Sequence, residues 1–185
     1  MPVMGGSQCR FDSVVDMSLE ILSDVDFSAW EEPDPSSEPR VFFESWLDFQ
    51  RHEFVRKLRD LSQDQLVAWS IPPVELSVLG LVRHMTQMEH HYVAWGFGGG
   101  DYLMVYGEED YAGGSLETLE EDLHLYFLEV DKANRAISAT PSLESTGGGT
   151  GRTLQATLVK MVDEYALHAG QAYMLRFAAL GKMIR

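Results

Sequence analysis

Apolar residues recur at Phe43, Leu47, Phe54, Leu58 and Leu61, mostly three, four or seven positions apart, the period of one helical face. With Pro39 at a favourable first position, this spacing predicts a first helix over roughly residues 40–60. Ser62-Gln-Asp-Gln65 matches a capping box and predicts a short helical turn that Pro72-Pro73 must end. Ser77 is a good N-cap for a second helix from about Val78 to Trp95, which the glycines of Gly96-Phe-Gly-Gly-Gly100 stop. Leu119, Leu123, Tyr126, Phe127 and Val130 form the apolar face of a third helix, from Leu116 to about Ser138, with Pro141 beyond its end. Thr153 can cap a fourth, which continues to Leu180 before Gly181 and is apolar on almost every side, the mark of a buried helix. Four long helices and no clear strand predict an all-α four-helix bundle.

The remaining segments interrupt this pattern. Residues 1–40 hold nine acidic and two basic residues, and Glu31-Glu-Pro-Asp-Pro-Ser-Ser-Glu-Pro39 contains three prolines that forbid regular structure. The expected organisation is an acidic, irregular N-terminal extension (1–38) and one bundle domain (39–185). Within the extension, Phe11 to Val25 has enough apolar residues to fold back as a strand or a short helix. Asp101 to Ser115 is a glycine-punctuated loop with Tyr102, Tyr106 and Tyr111, long enough to sit at the rim of a pocket. Ser145-Thr-Gly-Gly-Gly-Thr-Gly151 reads as a flexible connection.

Composition narrows the function. Fourteen basic against twenty-nine acidic residues give a net charge of −15, which repels a phosphate backbone and argues against nucleic acid as a partner. No run of about eighteen apolar residues exists, and the first residues lack the basic and apolar blocks of a secretory signal. A soluble, cytoplasmic protein with no membrane partner is expected. The single cysteine, Cys9, cannot close an internal disulfide and has no histidine partner nearby in sequence. No Gly-x-Ser-x-Gly elbow supplies a serine nucleophile. Thr146-Gly-Gly-Gly-Thr-Gly-Arg-Thr153 lacks the first glycine of a phosphate loop and has Arg152 in place of its lysine. The acidic residues Glu117, Glu120, Glu121 and Asp122 open the third helix, where they suit its dipole as a solvated face.

The candidate chemistry lies on two helices. Glu164, His168 and Gln171 are spaced four and three residues apart and share one face of the fourth helix. A buried carboxylate without a partner costs several kcal/mol, roughly, so it needs a cation, a hydrogen-bond network or a metal. In the second helix, His84, Met88, His91 and Trp95 make another stripe. If the two helices face each other, His84 can join Glu164 and His168 as two imidazoles and a carboxylate. Three such ligands leave positions open for water or substrate. The plainer alternatives are a hydrogen-bonded carboxylate–imidazole pair without metal and core histidines satisfied by neighbours. His91 would stand at the pocket wall as an orienting group or proton acceptor. His52, His90 and His124 read as surface or helix-flank residues.

Leu76-Ser-Val-Leu-Gly-Leu-Val-Arg-His-Met85 and Asp163-Glu-Tyr-Ala-Leu-His-Ala-Gly-Gln171 together resemble the mini-circle-protein branch of the DinB-like superfamily, also called the mycothiol transferase family. The resemblance covers roughly residues 38–181 and extends to the metal-binding domain of mycothiol-dependent maleylpyruvate isomerase. It implies a DinB-like four-helix bundle, usually a homodimer, with one divalent metal in its core. The family's ligands fall on His84, from a Leu-Val-Arg-His segment, and on Glu164 and His168, from a Glu-x-x-x-His stretch. Many relatives carry a second histidine where this chain has Gln171, and an acidic residue where it has Phe177. Gln171 matches the His-x-Gly-Gln form common in other DinB-like proteins.

The expectation from residues and resemblance together is a metal-dependent transferase. Zinc, or else nickel, iron or manganese, would activate a low-molecular-weight, mycothiol-like thiol as co-substrate for attack on an electrophilic small molecule. His91 would handle the proton, while Gln171 and Trp95 would contact the bound molecules. Two alternatives stay open: a non-catalytic dimeric binding module, and a thiol-independent metal-dependent hydrolase or isomerase.

Overall fold

The structure is a computed structural model that describes residues 20–23, 25–28, 30–107 and 110–181. Its helices are α1 (Glu20–Ser23), α2 (Pro39–Val55), α3 (Gln63–Val67), α4 (Val78–Met88), α5 (Trp95–Gly98), α6 (Leu119–Ala139) and α7 (Leu154–Leu180). A π-helical segment, Glu89–Ala94, joins α4 to α5, so that Val78–Gly98 is one continuous helical run. With α2, α6 and α7 it makes an all-α bundle, and no strand occurs among the described residues. In it α2 packs on α7, the π segment and α4 pack on α6, and α4 also packs on α7.

Local chemistry sets most of the helix ends. Pro39 opens α2, and a 3-10 turn over Arg56–Leu58 closes it. Both capping-box bonds form at α3: Ser62 Oγ accepts from the Gln65 amide at 3.3 Å, and Gln65 Oε1 accepts from the Ser62 amide at 2.9 Å. Ser77 Oγ caps α4 through the Gly80 amide at 2.9 Å, and Thr153 Oγ1 caps α7 through the Ala156 amide at 3.2 Å. Gly181, with φ +64°, ends α7 in the left-handed conformation glycine tolerates best. The third long helix starts at Leu119 rather than Leu116, after a turn in which Thr118 Oγ1 accepts from the Ser115 amide.

Leu47, Phe54, Leu81, Met85, Leu123, Leu158, Met161 and Leu175 are among the fully buried residues that fill the bundle. Ile21 and Leu22 of α1, with Val25 and Phe27, pack partly buried against that core. The described end of the fold-back segment is thus a short helix, while Phe11–Leu19 and Cys9 lie outside the described residues. Trp30 stacks on His52 with ring centroids 4.0 Å apart, and His52 Nε2 bonds the Ser28 carbonyl at 2.7 Å. This contact buries a histidine that reads from sequence as a surface residue.

Two further expectations are corrected. Asp122 is not part of a solvated face: it is buried and takes the Arg83 guanidinium at 2.9 and 3.1 Å. The glycine-rich turn before α7 is a packing device rather than a slack connection. A Cβ at Gly147 would lie 2.4 Å from the Gly96 carbonyl oxygen, and one at Gly149 would lie 2.7 Å from the Trp95 ring. Among the described residues no helix is long and apolar enough to cross a membrane.

Candidate metal centre

α4 and α7 face each other and bring His84, Glu164 and His168 together. One ligand atom from each lies within 4.8 Å of the others. Glu164 Oε2 is 3.2 Å from His168 Nε2 and 3.8 Å from His84 Nε2. The His84 and His168 rings meet edge to face at 4.6 Å. The three side chains are 12%, 14% and 5% exposed, respectively, so the cluster is sheltered yet reachable from solvent.

Outer partners fix which atoms point inward. His84 Nδ1 bonds Asp110 Oδ2 at 2.7 Å, and His168 Nδ1 bonds Gln171 Oε1 at 2.8 Å. Both partners present an acceptor oxygen, an arrangement that favours the proton on Nδ1 of each ring and a bare Nε2 lone pair toward Glu164. Lys160, one turn before Glu164, donates to Oε1 and leaves Oε2 for the histidines. Burial pushes Glu164 up, but the hydrogen bond and charge of the Lys160 ammonium oppose it, and the carboxyl is held below its usual value. Burial is also the largest influence on His84. With His168 it outweighs Asp110 and Glu164 and lowers the imidazole, keeping it neutral. Three acceptor atoms thus converge with no donor among them, a set that suits one divalent cation.

The loop after α5 supplies Asp110 and a cover. Tyr111 stacks on His84 at 4.2 Å, and its hydroxyl is pushed up to about 12 by burial, then by Asp110 and Glu164. Arg83, beside His84 in sequence, donates through Nε to the Asp110 carbonyl at 3.0 Å and lies over the Tyr106 ring at 4.0 Å. Gln87 Oε1 accepts from the Val105 and Tyr106 amides at 2.8 and 3.3 Å. Gly80 leaves the space in which Tyr111 sits: a Cβ there would lie 2.3 Å from the Tyr111 carbonyl oxygen. Asp110 and Lys160 escaped the sequence reading, whereas the loop tyrosine Tyr111 stands at the rim of the centre, where its loop was expected. Only Lys160, four residues before Glu164, carried a readable signal.

His91 and Trp95 fall elsewhere. The wider π turn over Glu89–Ala94 rotates the stripe begun at His84. The His91 ring contacts Tyr92 at 4.8 Å, Tyr102 at 5.3 Å and Trp95 at 5.7 Å, none of them a member of the triad. Its Nδ1 is buried without a partner. Burial, then His90 and Arg152, lowers its imidazole. Trp95 instead borders an open crevice of about 410 Å³ with His90, Asp101, Lys132 and Arg135, and no triad residue lines it. His90 is paired through Nδ1 with the buried Glu129 at 3.0 Å, whereas His124 is exposed.

The same bundle also holds a closed polar network. Glu89, wholly buried, takes Arg51 through both oxygens at 2.7 Å and the Tyr165 hydroxyl at 2.7 Å. Arg51 also donates to Asn134 Oδ1 at 2.7 Å. Burial opposes the Arg51 charge, and Glu89 outweighs it and raises the guanidinium.

No curated protein matches the chain at a significant level. The family model described as mycothiol-S-transferase matches residues 42–181, a span that contains α4, α6, α7 and all three members of the triad. With that match over most of its length, the chain belongs to the mycothiol-S-transferase family.

Proposed function

We propose that the protein is a metal-dependent thiol S-transferase whose ion is held by Nε2 of His84, Nε2 of His168 and Oε2 of Glu164. The observation that carries this reading is the convergence of three lone-pair atoms, each aimed by an outer partner, with no donor inside the cluster. A bound divalent ion, zinc being the best match to two imidazoles and a carboxylate, would supply the Lewis acidity that keeps a thiol as its nucleophilic thiolate at neutral pH. Asp110 and Gln171 keep the two Nε2 atoms bare. Lys160 takes Oε1 of Glu164, and Oε2 is the oxygen that would hold the ion.

Family membership points to a mycothiol-like thiol as co-substrate, with an electrophilic small molecule as the other partner. His91, with Tyr92 and Tyr102, would form the far wall against which the electrophile rests, and Trp95 would support that wall from behind through its contact with the His91 ring. The lowered His91 imidazole is neutral at pH 7 and able to accept a proton there. The charge of −15 opposes nucleic acid as a partner. A homodimer would use the outer face of α7, where Val159, Leu167, Met174 and Phe177 are 50%, 57%, 52% and 39% exposed along one stripe. A cytoplasmic location accords with this reading.

The test is metal analysis of untagged protein combined with turnover of an electrophile with and without added mycothiol. One ion per chain and thiol-dependent turnover, both lost in His84→Ala while the fold survives, are expected. Folded protein that takes up no divalent ion ends the proposal, and turnover without thiol replaces it with metal-assisted hydrolysis or isomerisation.

A further inference from the structure

Among the described residues, every lysine and arginine is ion-paired with a carboxylate except Arg152. In a chain with twenty-nine acidic residues, a cation kept clear of them stands out. Its backbone is pinned while its head is not. The Arg152 carbonyl accepts from the Gly147 amide at 2.9 Å, its amide donates to Thr150 Oγ1 at 3.3 Å, and Thr153 begins the cap of α7. The turn that carries it cannot drift, because Gly147 and Gly149 are wedged against Gly96 and Trp95.

Its guanidinium lies over the Tyr92 ring, 5.8 Å from the centroid, and close enough to His91 to depress that imidazole. Tyr92 in turn is near enough to Lys160 to help raise it, after Glu164, and Lys160 is bonded to Glu164. Arg152 thus lies over Tyr92 of the π segment, on the side of the bundle from which Lys160 reaches Glu164. About 15 Å of helix axis separates Leu154 from Glu164. The Arg152 side chain, lying over Tyr92, covers part of that distance, and an elongated small molecule would bridge the rest.

We propose that the electrophile taken by this site carries an anionic group, a carboxylate in the simplest case, and that Arg152 receives it. The inference rests on the transferase reading for the word electrophile, but not for the anion site itself. A carboxylate offers the planar pair of acceptors that a guanidinium fork matches, while the Tyr92 ring supplies an apolar face beside it. The acidic surface elsewhere would repel such a molecule, leaving Arg152 as the one cation among the described residues without a carboxylate partner to receive it.

The experiment measures equilibrium binding of cinnamate and of its neutral amide, cinnamamide, to metal-loaded protein, wild type, Arg152→Gln and Arg152→Lys, with metal content checked in each. Wild type should hold the acid about three- to tenfold tighter than the amide at low ionic strength, a margin that shrinks in about 0.5 M salt. Arg152→Gln should erase that margin without changing amide binding, and Arg152→Lys should keep most of it. Equal binding of acid and amide by wild type overturns the proposal, as does a margin that survives Arg152→Gln or no detectable binding of the acid. Binding of mycothiol alone forms a second arm: weakening there in Arg152→Gln, with acid binding unchanged, assigns the anion to the thiol and overturns the proposal too. Acid-selective binding through Arg152 without any thiol-dependent turnover upholds the anion site and defeats the transferase reading instead.

Discussion

Replacing Asp110 with Asn tests the centre without touching any of its three proposed ligands. Asp110 serves two donors at once, His84 Nδ1 at 2.7 Å through Oδ2 and the Tyr111 amide at 2.9 Å through Oδ1. An asparagine has one oxygen for these two donors. If that oxygen faces His84, the amide NH₂ meets the Tyr111 N–H donor to donor. If it faces Tyr111, the NH₂ donates to Nδ1, moves the ring proton to Nε2 and turns an N–H into the centre. Both outcomes penalise the ion. Loss of such outer partners costs about 10- to 100-fold in metal affinity, or about 1.4–2.7 kcal/mol, comparable with one hydrogen bond to a charged group.

The assay is competition for Zn²⁺ against a chromophoric chelator, paired with urea unfolding of the metal-free protein. Asp110 is a loop residue on the rim of the bundle, so the metal-free fold should change by no more than about 1 kcal/mol. Asp110→Asn should weaken Zn²⁺ at least as much as Asp110→Ala, because alanine removes the acceptor without offering a wrong donor. Two results refute the reasoning: Asp110→Asn that binds Zn²⁺ as tightly as wild type, or a loss of affinity matched by equal loss of the metal-free fold.

The remaining predictions address the frame around the centre. Gly80→Ala drives a Cβ to 2.3 Å from the Tyr111 carbonyl oxygen, so the loop must shift; Zn²⁺ affinity should fall with His84 itself intact, and unchanged affinity would show the loop to be irrelevant. Arg51→Met leaves Glu89 buried without its cation and should cost about 3–5 kcal/mol in urea unfolding, most of it regained in Arg51→Met/Glu89→Leu; a single variant as stable as wild type contradicts this. His84 has its pKa lowered, chiefly by burial, below the ordinary value of 6.5, so as pH falls through 6.5 the unfolded chain takes that proton before the folded one. The metal-free fold should therefore lose stability over the window just below pH 6.5 and stop losing it once the folded imidazole is protonated. Urea midpoints for wild type and His84→Gln across that range check the sign, and parallel curves would refute it.

The bundle was readable in sequence wherever a local signal decides the structure. Ser62 with Gln65, Ser77, Thr153 and Gly181 each set a helix end through contacts within four residues, and each stands where its spacing placed it. The approach of His84 to Glu164 and His168 needed only helical periodicity and the assumption that two helices face each other. What was illegible depends on distant partners. Nothing near Glu89 announces the π segment, and its buried carboxylate is held by Arg51, thirty-eight residues earlier. Asp122 follows two other acids at a helix start and looks solvated until Arg83 arrives from α4. Asp110 ends an acidic run in a loop, and only Arg83 and the gap at Gly80 set it beside His84.

Neighbouring residues of α7 show why one polar centre reads as structural and the other as a binding site. Tyr165 points into the Arg51–Glu89 network, where each carboxylate oxygen meets at least one donor and nothing more is required. Glu164, the residue before it, points the other way. Its Oε1 is satisfied by Lys160, but Oε2 faces two ring nitrogens whose protons are already committed to Asp110 and Gln171. A single proton can bridge Oε2 to His168 across 3.2 Å, yet it leaves His84 Nε2, 3.8 Å away, with no donor. A divalent ion at the middle, as proposed above, would serve all three atoms. Protons and metal therefore compete for the same lone pairs, and ion affinity should fall as the pH drops. No comparable competition is built into the saturated network beside it.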